Sequence, residues 1–218
     1  AFNLSWKLAA CVWGWAGPHL LESYERERLP IALRNTSAAR QLSININEVH
    51  APAQIEENSA VGAVCRSGAA QQLATFAEQF NSLGVQLGSR YDDSPIIAGD
   101  EAPPSDDFVS YRPSSLPGGR APHAWLRDQH VSGASLFDRF GVGFTLLRLA
   151  SRRPPIAALL SAAAARGIPV DVVEVPDGEV RDLYGCDLAL IRPDQHVAWR
   201  GSAVPADPGA LVSRIVGA

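Results

Sequence analysis

The sequence predicts an α/β fold, α+β overall, in two unequal lobes: helical over residues 1–97, then alternating strands and helices over 123–218. Three observations predict it. Apolar residues recur at helical spacing near the start and again over 73–83; residues 98–122 are rich in Pro, Gly, Ser and Asp; beyond them apolar residues fall in runs of strand length. A chain of 218 residues buries a sizeable core and holds one or two domains. With 46% hydrophobic residues, 19% charged residues and a formal net charge of −4, it reads as an ordinary globular protein with no nucleic-acid partner.

Phe2, Leu4, Trp6, Leu8, Ala9, Val12 and Trp13 form a wide apolar helical stripe, stopped by the Gly and Pro residues of 14–18. A second helix is expected from Pro18, whose missing N–H is one that a first turn leaves unpaired anyway. It runs to Arg28, with Glu22 and Arg26 paired at i,i+4, its charges on a solvated face, and a bend at Pro30. Leu73, Phe76, Ala77, Phe80 and Leu83 predict a third helix with Gly84 as its C-terminal cap. The alternation over 85–91 predicts a short strand, followed by turn residues Asp92-Asp93-Ser94-Pro95 and a buried Ile96-Ile97 pair.

Residues 98–122 read as an extended linker lying over the surface, and the lobe boundary is placed there. The second lobe then reads as strand 144–149, helix 156–166, strand 170–175, a helical turn at 181–184, strands 188–191 and 196–200, and a final helix 207–216. Gly167-Ile168-Pro169 stops a helix, and Pro193-Asp194-Gln195-His196 suits the hairpin turn between the last two strands. This is the strand order of a thioredoxin-like unit. Its redox chemistry would need a thiol near a helix start, but Arg152-Arg153-Pro154-Pro155 holds that place without cysteine.

Cys11, Cys65 and Cys186 are widely spaced, outside any Cys-x-x-Cys or Cys/His cluster, and read as isolated reduced thiols with no metal role. No apolar run reaches the roughly 20 residues that span a bilayer, and the apolar start lacks a basic leader, so a cytoplasmic location is expected. Ala1 opens onto the first helix with no Ser, Thr, Asp or Asn before it, and the chain has no methionine. Both features fit either a processed or trimmed terminus or a helix whose earlier turns belong to sequence upstream.

Candidate chemistry is sparse. Gly141-Val142-Gly143 resembles part of a dinucleotide loop, but it lacks the third glycine and precedes a strand, so phosphates would find no helix N-terminus. Gly99-Asp100 stands among prolines and reads as linker. Ser135 lacks the second glycine of a nucleophile elbow and reads as a helix cap for 136–140. His123 and His130, near Arg120, Arg127 and Asp128, are the best-placed acid/base groups, but no nucleophile or metal partner accompanies them. No catalytic, cofactor-binding or metal-binding residue is assigned.

The stretch Asn3-Leu4-Ser5-Trp6-Lys7-Leu8-Ala9-Ala10, then Trp15-Ala16-Gly17, then Leu20 through Ala32 (LLESYERERLPIA), resembles the class A flavin monooxygenases: phenol, 3-hydroxyphenylpropionate and polyketide hydroxylases. Gln86 to Tyr91, Pro117 to Leu126, Ser135 to Asp138, Gly143 to Leu147, Arg181 to Tyr184 and the ending Leu190 to Gly201 agree with the same family. The resemblance implies an N-terminal helical segment from the end of the flavin-monooxygenase core, followed by a thioredoxin-like lobe. It implies a protein that inserts one oxygen atom of O2 into an electron-rich aromatic ring, with FAD as cofactor and NAD(P)H as reductant.

The family's adenine-nucleotide glycine loop and its Asp-Gly and Gly-Asp motifs have no counterpart in the sequence, so none of its flavin contacts carries over to a numbered residue. This chain alone is expected not to bind FAD tightly, and its partner is a missing FAD-binding region or a separate chain carrying one. Trp6, Trp13 and Trp15 are expected to face that region. An aromatic small molecule is the expected substrate, and a homo-oligomer is compatible with the pattern. The rival reading is a stand-alone, cofactor-free binding or dimerisation module derived from a hydroxylase tail.

Overall fold

Helix α1 (Phe2–Trp13) buries Asn3, Trp6, Lys7 and Ala10, the i, i+3, i+4, i+7 set of one helical face, and ends at Gly14 in the left-handed conformation (φ 78°). The computed structural model describes residues 1–47, 51–74, 76, 82–127 and 132–218. It divides into two compact units, one of Ala1–Leu29, Ser89–Ser105 and Pro113–Ala218, the other of Pro30–Gly88 and Asp106–Arg112.

Residues 18–21 form a turn, so α2 (Glu22–Asn47) starts later than the expected Pro18; it also continues through Pro30, well beyond Arg28. In the second unit a 3-10 turn (Ala53–Glu56) leads to α3 (Ala60–Ala74), which the sequence reading did not foresee. Of the helix expected around Leu73 to Leu83, Leu73 belongs to α3, Phe76 lies in a turn, and Ala77 and Phe80 fall outside the described residues.

The strand expected over 85–91 is corrected: Leu83–Leu87 is a short helix, α4, and Gly84 sits inside it instead of capping a helix. The backbone supplies the reason. Gly84 and Val85 donate to the carbonyls of Val109 and Phe108, and a Cβ at Gly84 would lie 1.8 Å from the Asp107 carbonyl oxygen. Close approach of that segment demands glycine there. Arg34 holds the same segment, donating from Nε and Nη2 to Asp106 at 2.7 Å each and lying over the Phe108 ring.

The first unit contains two sheets. Strands β1 (Trp125–Arg127) and β2 (Ser132–Ser135) form an antiparallel pair, and Ser135 then caps a 3-10 turn (Leu136–Arg139) in a capping box with Asp138, as the cap reading expects. The larger sheet holds β3 (Phe144–Arg148), β4 (Val170–Glu174), β5 (Leu188–Ile191) and β6 (Val197–Gly201), with helices α5 (Ala157–Ala164), α6 (Gly178–Tyr184) and α7 (Pro208–Ile215). Its order is β4-β3-β5-β6, β3 parallel to β4 and antiparallel to β5, β5 antiparallel to β6. That is the thioredoxin-like arrangement. Gly167 (φ 68°) ends the α5 region and Gln195 (φ 64°) turns the β5–β6 hairpin, both where the sequence places a stop and a turn.

Strand alternation sends Phe144, Leu146, Leu188 and Leu190 to one face, against α5, α7, Trp6, Trp15 and Leu20. Leu147, Ala189 and Ile191 go to the other, against Val180, Tyr184, Leu136 and Ala121. Backbone meets backbone where the N-terminal turn reaches the C-terminus: Gly17 donates to Val216 O at 2.7 Å, and a Cβ on Gly17 would lie 2.3 Å from the Gly217 carbonyl carbon. Residues 98–122 contain no helix or strand, yet Ser115 and Ala121 are buried. Their backbone explains it: Gly118 and Ala121 donate to Val197 and Gln195, and Ala98 donates to Ala198. Within this span, Ala98 and the residues around 115–121 pack along β6 and its turn instead of lying over the surface.

Candidate functional site

A fully buried ionic cluster joins α1 and α2 to the β5–β6 turn. Lys7, one helical turn beyond Asn3, donates from Nζ to Glu27 Oε2 and Ser23 Oγ at 2.7 Å each. Arg192 donates from Nη1 and Nη2 to the two Glu27 oxygens at 2.5 and 2.9 Å, and from Nε and Nη2 to Asp194 at 3.0 and 2.6 Å. Asn3 Nδ2 donates to Glu27 at 2.6 Å and to Asp194 at 3.1 Å, which leaves its own Oδ1 buried without a partner. Ser94 Oγ donates to Glu27 Oε1 at 2.6 Å. The Arg192 guanidinium lies 5.2 Å from both the Trp6 and the Tyr91 ring centres, and His196 stacks on Tyr91.

The cluster carries two cations and two carboxylates, each side chain at most 3% exposed. Burial pushes the Glu27 carboxyl up, but Arg192, Lys7 and the Asn3 amide outweigh it and hold it at about 2. Asp194 is held well below the carboxylate range, against burial, by Arg192 and His196. Burial pulls Lys7 down to about 8 despite Glu27, so all four groups are charged at neutral pH. Carboxylates that accept this many bonds are poor bases. The cluster is therefore built to hold elements in place and not to move protons.

On another surface of the same unit, a cleft of about 730 Å3 is lined by Gly99, Asp100, Glu101, Cys186, Trp199 and Arg214 among others. Its charges are largely paired: Arg200 donates to Glu101, and Arg181 and Arg152 both bind Asp187. Burial raises the Cys186 thiol to about 11, which rules out a standing thiolate. The place where a thioredoxin would carry cysteines is held by Arg152, paired to Asp187, and Arg153, at a left-handed φ of 46°.

Other sequence candidates find plainer roles. His123 Nε2 lies 3.0 Å from Ser135 Oγ, and its ring meets Trp125 and Phe137 edge-on in an exposed patch. Arg120 lies over Phe137; His130 and Asp128 fall outside the described residues, as does the side chain of Arg127. Gly141 and Gly143 are close-packing positions: a Cβ would strike Asp171 at one and Pro169 at the other, and β3 follows directly. Among the described residues no group of three or more His, Cys, Asp or Glu could hold a metal, and no helix is long and apolar enough to cross a membrane.

The sequence reading missed the cluster and assigned the α2 charges to a solvated face; Glu27, at 1% exposure, is the correction. The legible signal was Lys7 at i+4 from Asn3 and Glu27 at i+4 from Ser23, polar pairs on faces that otherwise bury. Trp6 and Trp15 also differ from expectation. At 6% and 7% exposure they are buried within this unit, stacked on each other and edge-on to Phe144, while Trp13 remains 65% exposed. With Phe2, Leu8 and Val12, Trp13 forms the uncovered side of α1.

The geometry is that of N-terminal helices locked by a buried ion pair to a thioredoxin-like lobe without redox cysteines. Residues 114–218 match the family described as aromatic-ring hydroxylase, C-terminal, and residues 1–39 match an FAD binding domain, so over most of its length the chain is similar to the C-terminal portion of FAD-dependent aromatic-ring hydroxylases. It is 34% identical to the FAD-dependent monooxygenase apdD of Emericella nidulans over 93% of this chain and 34% of that protein. It is 32% identical to a phenol 2-monooxygenase of a Pseudomonas strain, over 95% of this chain and 39% of the relative. Among solved structures, the rebeccamycin biosynthetic enzyme RebC with reduced flavin superposes with a TM-score of 0.87 at 36% identity, over 99% of this chain and 40% of RebC. The chain thus spans little more than a third of the curated relatives' length.

Three places in the stretch 114–218 that could take a phosphate do not fit one. The one glycine pair of dinucleotide type is filled by Asp171 and Pro169, and the starts of α6 and α7 are occupied by the carboxylates of Asp177 and Asp207, which would repel a phosphate.

Proposed function

We propose that this chain is the C-terminal part of an FAD- and NAD(P)H-dependent monooxygenase that hydroxylates an aromatic substrate, phenolic or polyketide, with O2. In this reading residues 1–97 belong to the flavin-monooxygenase core, 98–122 are the linker, and 123–218 form a thioredoxin-like domain without redox cysteines. The observation that carries it is the two-sidedness of α1: its inner face is locked into the lobe, while Phe2, Leu8, Val12 and Trp13 stay exposed on a helix that matches an FAD binding domain. Four large apolar side chains on a twelve-residue helix form a surface that suits coverage by the rest of that domain.

In this division of labour the flavin supplies the oxygen chemistry when bound. This chain's residues brace the flavin-binding part and shelter it from water. The test is a complete protein carrying this chain at its C-terminal side. It is expected to purify with flavin absorbance between about 350 and 500 nm and to place one atom of labelled O2 into a phenolic or polyketide ring at the expense of NAD(P)H. Absence of flavin from that protein sinks the reading. The isolated chain, mixed with FAD and then freed of unbound flavin by gel filtration, is expected to retain no flavin absorbance.

A further inference from the structure

We propose that the Glu27–Arg192 pair, with Lys7, Asn3 and Asp194 around it, is a register lock through which the thioredoxin-like lobe sets the flavin affinity of the complete protein. This inference rests on the flavin-binding reading above. The two family matches meet inside the cluster: Asn3, Lys7, Ser23 and Glu27 lie in the stretch matching an FAD binding domain, Arg192 and Asp194 in the one matching the hydroxylase C-terminal domain. Each side is neutral by itself, Lys7 with Glu27 and Arg192 with Asp194. Charge balance therefore does not require the two sides to meet. They are nevertheless cross-linked, by two guanidinium bonds to Glu27 and by an Asn3 amide that gives one proton to each carboxylate.

A planar guanidinium against a planar carboxylate makes both bonds in one orientation only, whereas apolar contacts accept repacking. A buried ion pair adds little stability compared with apolar residues of the same size, and its best-attested use is to fix one arrangement among several. Here the arrangement is that of α1. Its inner residues Asn3 and Lys7 are held by the lock, and its outer residues Phe2, Leu8, Val12 and Trp13 are presented away from the lobe. A slip of one residue along the helix would turn that outer face by about 100°. Arg192 and Glu27 are thus positioning residues: their bonds go to one another and to buried neighbours, and they fix the angle at which the flavin-binding part meets this helix.

The test compares three variants of the complete protein by FAD titration, with thermal melting as a control. Arg192→Lys keeps the charge and loses the fork; it is expected to fold and to weaken FAD binding at least tenfold. Arg200→Lys removes a similar fork to Glu101 that touches neither α1 nor α2, and Leu159→Ala destabilises the lobe core without touching the lock. Both are expected to bind FAD within twofold of the parent, although Leu159→Ala melts lower. A folded Arg192→Lys protein with unchanged FAD affinity overturns the proposal, as does a Leu159→Ala loss equal to that of Arg192→Lys. Should Arg192→Lys not fold, hydrogen exchange on the parent decides: FAD is expected to slow exchange in α1 and in the 192–196 turn together, and protection of α1 alone overturns the lock. A parent that binds no FAD overturns the functional reading itself, whereas a flavin-binding parent with an indifferent Arg192→Lys overturns only this inference.

Discussion

The molecule uses the same ionic pairing in two places with opposite consequences. In the α1–α2 cluster, Glu27 and Arg192 are both fully buried and every bond they make is to another buried group. At the cleft, Arg200 binds Glu101 with comparable geometry, but the glutamate is about half exposed. Water can replace a lost partner at the second site and cannot reach the first. The comparison teaches that the distance between charges does not set their importance; the cost of leaving one of them alone does.

Breaking the buried pair is the strongest way to test that contrast. Glu27→Ala strands Lys7 without water, while Arg192 keeps Asp194, and is expected to cost about 3–5 kcal/mol in urea unfolding; a loss below 1 kcal/mol would show that the cluster is hydrated. Acid gives a second probe. Because the Glu27 carboxyl is lowered from the ordinary 4.5 to about 2 in the folded chain, its contribution is complete above pH 4.5 and is lost as pH falls toward 2. One group with that displacement accounts for roughly 3 kcal/mol. Unfolding measured across this range should steepen in the parent and flatten in Glu27→Gln.

Arg200→Ala should cost only about 1 kcal/mol, since the pair it breaks is largely solvated. A loss as large as that of Glu27→Ala would erase the distinction between the two sites. The smallest effect on stability belongs to the outer face of α1. Val12→Ser with Trp13→Ser is expected to change the unfolding free energy of the isolated chain by no more than about 0.5 kcal/mol, while reducing its self-association in sedimentation velocity. Strong destabilisation by that pair would mean that the face is already covered within this chain.

Much of the fold was legible from local pattern. The short apolar runs of β3 and β5, the Gly167 stop, the turn at Gln195 and the Ser135 cap are each written in a few neighbouring residues, because run length and turn chemistry are local properties. Failures came where the deciding partner was distant. Residues 85–91 alternate like a strand, but α4 forms because the backbone of Val109 and Phe108 lies against Gly84 and Val85. Residues 113–122 have linker composition, yet β6 offers them an edge to pair with.

The sequence by itself carried the resemblance to flavin monooxygenases, the layout of helices and strands in the second lobe, and the lack of a cysteine pair at the thioredoxin position. Those follow from residue identity and short-range spacing. Only the tertiary structure decided which charges are buried: Glu27 and Arg192 stand 165 positions apart, and nothing in the neighbourhood of either one announces the other. Burial is a property of the whole packed chain: the i,i+4 polar pairs of α1 and α2 hint at a buried contact, but their partner Arg192 appears only once the chain is folded.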